Sequence, residues 1–120
     1  MDGKLAGKRV LVTQADDYMG PGAVEAFGEA GAEVIADRTD LTEPDAAARI
    51  VEAAGHLDVL VANLAAPARG GIGGADIDDE IWASMFDIMV HPLHRLVRAV
   101  APQMIERGQG KVIAFGSATA

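Results

Sequence analysis

The chain has 120 residues, half of them hydrophobic and 23% charged, a globular balance that excludes disorder and suffices for one domain, 1–120, rather than two. Its formal net charge of −8 repels phosphate backbones and anionic lipid, so nucleic acid and membrane surfaces are not expected partners. There is no cysteine for a disulfide, a thiol nucleophile or a thiolate metal site, and apolar runs such as Val10-Leu11-Val12 fall far short of the ~20 residues a membrane helix needs. The start Met1-Asp2-Gly3-Lys4 lacks the apolar stretch of a secretory signal, so a cytoplasmic protein is expected.

Apolar runs then alternate with amphipathic stretches, as in a parallel sheet flanked by helices. Residues 8–13 (KRVLVT) predict a buried first strand, because the β-branched run shows no polar alternation. A helix is predicted over 21–30, opened by Pro21 and capped by Gly31. A second strand over 33–37 and a second helix over 44–54 follow, the latter closed by Gly55. The third strand is placed at 57–63 and a glycine-rich loop at 65–75. One long helix is predicted over 78–107, with Asp78, Asp79 and Glu80 at its positive end and kinks at Pro92 and Pro102. Gly108 and Gly110 end it before a fourth strand at 111–116.

Right-handed crossovers put these strands side by side, and in such sheets ligands bind beyond the carboxyl ends of the strands. The segments to inspect are therefore 13–22, 37–42, 63–74 and 116–120. The last strand stops four residues before the end with no covering helix after it, which reads as the first half of a larger domain.

The first strand-to-helix turn, Thr13-Gln14-Ala15-Asp16-Asp17-Tyr18-Met19-Gly20, keeps one of the glycines a dinucleotide turn would carry. Gln14 and Tyr18 add bulk, and Asp16 and Asp17 add charge that repels phosphate, so the turn by itself disfavours a dinucleotide. His91 and His94 lie three apart, but no third ligand is near them in sequence, so a helix surface or a subunit contact is expected and not a metal site. Trp82, Phe86, Leu93, Leu96, Val97 and Val100 fall near one face of the long helix and are expected to be core, part of it an interface.

The turn, Gly31-Ala32, Asp40-Leu41-Thr42, Asp58-Val59-Leu60-Val61-Ala62-Asn63, the long helix and the strand ending in Ser117 together resemble a short-chain dehydrogenase/reductase. The resemblance covers all 120 residues but only the amino-terminal half of such an enzyme, and it implies a Rossmann-like α/β fold. Gln14 and Tyr18 replace two glycines of the family's turn, the relay asparagine of its helix falls at Met89, and no room for a helix remains between Asp37 and Asp40.

These departures resemble the B-type halohydrin dehalogenases, through Tyr18-Met19-Gly20, Val34-Ile35-Ala36-Asp37, Val90-His91-Pro92-Leu93-His94-Arg95 and Gly116-Ser117-Ala118. The resemblance implies a cofactor-independent lyase that turns vicinal haloalcohols into epoxides plus halide, and reopens epoxides with small anions. On that reading Ser117 is catalytic, with its partner tyrosine and arginine beyond residue 120. Tyr18 and Gln14 form the halide pocket, Thr119, Pro67 and Asn63 contact substrate, and a homotetramer assembles through 78–107. Asn63 has a second reading, as a residue that bonds loop backbone. Two alternatives stand beside the dehalogenase. One is an NAD(P)-dependent short-chain reductase with a degenerate glycine turn, for which Asp37, Arg38 and Asp40 would be the ribose site. The other is a non-catalytic half-domain that needs a complementary chain. The 120 residues alone are expected to be inactive, because the base lies outside them.

Overall fold

A computed structural model describes residues 3–66 and 74–116. The strands are β1 (Arg9–Val12), β2 (Glu33–Ala36), β3 (Val59–Ala62) and β4 (Lys111–Ala114), and the helices are α1 (Gly20–Glu29), α2 (Ala46–Ala54), α3 (Asp79–Met85) and α4 (His91–Arg107). All strand pairs are parallel, in the order β2-β1-β3-β4. Leu11 pairs with Ile35 on one side and with Leu60 on the other, which places β1 and β3 at the centre.

The central strands are apolar on both faces because each face meets a helix. Leu11 and Leu60 join Ile50 and Val51 of α2 and Leu96, Val100 and Met104 of α4 in one core layer. Val10, Val12, Val59 and Val61 point the other way, against Val24 and Phe27 of α1. Alternation along each strand therefore divides its residues between two cores, and the sheet is held from both sides.

The predicted strands and first two helices form, with ends shifted by at most two residues. The chain enters α1 at Gly20 rather than Pro21, and Ala30, not Gly31, is its cap, with Gly31 following at φ +92°. The predicted helix 78–107 is broken. Asp78 caps α3 by accepting the Ile81 N–H at 2.8 Å. A π-helical turn, Phe86–Val90, then interrupts the helix, with the His91 N–H donating to the Phe86 carbonyl five residues back. Pro92 explains the position of the break: it has no N–H for the carbonyl four residues earlier, and an inserted residue absorbs the misfit. Pro102 lies within α4 without ending it. The interruption also corrects the expected core stripe. Leu96 and Val100 are fully buried, whereas Trp82 is 60% and Val97 37% exposed.

At the amino ends of the strands, Arg9 ties three segments together. Its guanidinium donates to the carbonyls of His56 (2.8 Å) and Ala54 (2.7 Å) and pairs with Glu33. The Arg9 N–H donates to Asp58 at 2.8 Å, and His56 Nε2 lies 3.1 Å from the same carboxylate. Asp58 is 8% exposed. The Arg9 amide holds its carboxyl below the usual carboxylate range, with His56 adding to that effect.

A carboxylate whose folded pKa is depressed contributes stability above its unfolded pKa, and that stability is lost as pH falls through the folded value. Asp58→Asn is therefore expected to lower the stability of the intact protein at neutral pH by roughly 1.5–3 kcal/mol. The gap from the parent should narrow below about pH 4. Denaturant unfolding across that range checks it; an equal gap at pH 7 and pH 3 would rule out a charged hydrogen bond as the cause.

Candidate functional site

The carboxyl ends of β1, β2 and β3 converge on the loop between β1 and α1. Thr13 is fully buried and anchors the loop to β3: its N–H donates to Val61 O at 3.2 Å and its hydroxyl to Asn63 O at 2.8 Å. The loop then closes on itself through Asp17 N to Gln14 O (3.0 Å) and Gly20 N to Asp17 O (2.8 Å). Ala15 N donates to Asp37 O at 2.9 Å, which joins the loop to the end of β2.

Gln14 and Tyr18 both adopt left-handed backbone conformations, with φ of +44° and +48°. Such conformations cost an ordinary residue about 1–2 kcal/mol, so neighbouring contacts must hold them. Asn63 supplies two of these contacts. Its amide donates to Gln14 O at 3.0 Å and to Asp17 O at 2.9 Å. The Gln14 side chain supplies another by accepting the Ala65 N–H. Gly20 must lack a side chain, because a Cβ there would lie 2.5 Å from Ala15 O.

Two clefts flank this loop. The larger, about 620 Å³, is bounded by Tyr18, Leu64, Ala65, Met89, Phe115 and Gly116. The Tyr18 ring meets the Phe115 ring edge to face, with centroids 6.5 Å apart, and its hydroxyl donates to Gly116 O at 3.5 Å. Met89 reaches this cleft from the π-helical turn. The smaller cleft, about 310 Å³, is bounded by Gln14, Asp16, Asp17, Arg38, Thr39 and Asp40. Here Arg38 Nε donates to Asp16 at 2.6 Å, which keeps the guanidinium more firmly protonated than usual. The Thr42 N–H (3.0 Å) and hydroxyl (2.7 Å) donate to Asp40 and hold its carboxyl below the ordinary range.

Of the residues assigned from the sequence to a halide pocket, Tyr18 lines the larger cleft. Gln14 does not: its side chain turns to the Ala65 amide, and the residue borders the smaller cleft. Asn63 is fully buried, so the expected substrate contact is corrected to its second reading, a tie between loop and sheet. Ser117, Thr119 and Pro67 lie outside the described residues, although Gly116, next to Ser117, borders the larger cleft. Phe115 was missed, and its signal was available: it shares a sheet face with Ile113 by simple alternation. His91 lies 3.8 Å from Asp87, and among the described residues no group of three or more His, Cys, Asp or Glu side chains could hold a metal ion. Among the same residues no helix is long and apolar enough to cross a membrane.

Residues 5–120 match the short chain dehydrogenase family. The chain is 31% identical to the 2-keto-3-deoxy-L-fuconate dehydrogenase of Xanthomonas campestris pv. campestris, covering 95% of this chain and 44% of that protein. It is also 31% identical to the D-xylose 1-dehydrogenase of Caulobacter vibrioides, over 94% of this chain and 54% of that one. A solved structure described as a dehalogenation enzyme superposes with a TM-score of 0.83 at 26% identity, over 95% of this chain and 55% of that one. The chain thus spans about half the length of the curated relatives it matches. Relatives named as dehydrogenases overturn the expected carbon–halide lyase, and with it the epoxide and halide chemistry assigned to the site. A parallel α/β sheet in the order β2-β1-β3-β4, matched to one family over residues 5–120, makes this chain a member of the short-chain dehydrogenase/reductase family, corresponding to the amino-terminal portion of that domain.

Proposed function

We propose that the intact protein is a nicotinamide-dependent oxidoreductase that interconverts an alcohol and a carbonyl compound, and that this chain supplies the dinucleotide side of its site. The observation that carries this reading is the backbone of the β1–α1 loop. Gln14 and Tyr18 replace glycines in name, but at φ +44° and +48° they follow the path glycines would take. The names of the dehydrogenase relatives support the same class of reaction.

The residues fit the dinucleotide over most of its length. Among the described residues, the Tyr18 and Met19 N–H groups donate to no backbone carbonyl, and they stand at the amino end of α1, where a phosphate is favoured. Asp37 directly follows β2, the place from which a carboxylate accepts ribose hydroxyls in dinucleotide folds. Of the two acids in the loop, Asp16 is already paired with Arg38. The Tyr18 ring borders the nicotinamide end of the path and has to turn off Phe115 to admit it. Tyr18 is 55% exposed, and its side chain is held by one edge contact and one long hydrogen bond.

A bound nicotinamide supplies hydride transfer at the substrate carbon. Leu64, Met89 and Phe115 would exclude water from that carbon, and Ser117, next after the cleft residue Gly116, would hydrogen-bond the substrate oxygen. The exposed Trp82, Val90 and Val97 support association of copies through the 78–107 segment.

Titrating the intact protein with NADH and NADPH, followed by nicotinamide fluorescence, is expected to give saturable binding of at least one. Binding of neither would overturn the reading. Ser117→Ala is expected to lower kcat/KM for alcohol oxidation by about 10²-fold or more, with dinucleotide affinity unchanged. Tyr18→Gly is expected to tighten NADH binding while changing stability by no more than about 1 kcal/mol, since it relieves a left-handed residue. Weaker binding in that variant would show that the ring assists the ligand rather than obstructing it.

A further inference from the structure

We propose that Asp16 makes the smaller cleft selective for an adenosine nucleotide with a free ribose 2′-hydroxyl, by holding Arg38 away from the place a 2′-phosphate would occupy. The inference rests on the proposed dinucleotide function, and goes beyond it in naming which dinucleotide is bound and which residue decides.

Arg38 follows the ribose-side Asp37 directly, and an arginine in this neighbourhood is the side chain that ordinarily accommodates a 2′-phosphate. Here it is committed elsewhere. Its Nε donates to Asp16 at 2.6 Å, and its Nη1 lies 3.4 Å from the carbonyl of Ala36. Asp16 comes from the β1–α1 loop, so the pair spans the cleft from one ligand-binding segment to the other.

The surrounding charge acts in the same direction. Asp16, Asp17 and Asp40 line the cleft with one guanidinium among them, and Asp37 adjoins it through its hydrogen bonds from the lining residue Thr39. Asp37 is fixed by Thr39, whose N–H and hydroxyl each donate to it at 3.0 Å, and Asp40 is fixed by Thr42. A ribose diol is neutral and can donate to a carboxylate; a 2′-phosphate carries negative charge into an acidic cleft whose cation is already paired. Asp16 is thus a positioning residue: it acts on the ligand through Arg38.

The test uses the intact protein and calorimetric binding of two probes that stop short of the Tyr18 side of the site, adenosine 5′-diphosphate and adenosine 2′,5′-bisphosphate. The parent should bind the 5′-diphosphate at least tenfold more tightly. Asp16→Ala should tighten binding of the 2′,5′-bisphosphate by about tenfold, the worth of one charge-assisted bond to phosphate, and make that binding salt-sensitive. Asp16→Ala combined with Arg38→Ala should lose most of that gain. Equal affinity of the parent for both probes would overturn the proposal, and so would an equal gain in the single and double variants, which would reduce Asp16 to a repelling charge. Binding of neither probe to any variant overturns it as well. If the 5′-diphosphate binds and NADH does not, the oxidoreductase reading fails while the role of Asp16 stands.

Discussion

Two hydrogen bonds from the Asn63 amide, to the carbonyls of Gln14 and Asp17, fix the loop on which both clefts depend. Asn63 is fully buried at the end of β3, so these bonds form in a medium where water cannot replace them. They hold the carbonyls in the orientation that two left-handed residues require, and so let glutamine and tyrosine occupy places suited to glycine. The Gln14 side chain, bonded to the Ala65 amide, repeats the connection from the other side. The loop is therefore braced by β3 more than by its own sequence.

The loop separates two environments of opposite character. On the β4 side, Leu64, Ala65, Met89 and Phe115 make an apolar wall around Tyr18. On the β2 side, Asp16, Asp17 and Asp40 surround a single arginine. Such an arrangement suits a ligand that is polar at one end and presents a flat, weakly polar ring at the other. Apart from Met89, which comes from the π-helical turn, both sides are built from the segments that follow strands, so the sheet register sets their spacing and the side chains set their chemistry.

Much of the architecture was legible in the sequence. The unbroken apolar runs around Val10–Val12 and Val59–Val61 could only be strands covered on both faces, and they form the centre of the sheet. The break at Phe86–Val90 was hidden because hydrophobic periodicity continues across it, and Pro92 marks only its neighbourhood. At the site, side-chain names did not disclose the backbone: Gln14 and Tyr18 both adopt left-handed conformations, which composition and spacing do not encode. The fate of the Gln14 side chain was equally hidden, since it depends on an amide fifty-one residues away.

The π-helical turn has a consequence for the phase of the whole 79–107 segment. One extra residue in a turn advances every later side chain by about 100° around the helix axis. Trp82 and Phe86, which pack edge to face at 5.3 Å, therefore belong to a different angular sector from Leu96 and Val100, although the sequence spacing would align them. The aromatic pair is displaced sideways into a ledge, and Met89, within the slip itself, is turned toward the cleft. A single insertion has divided one amphipathic helix into two working surfaces, one closing the core and one facing outward.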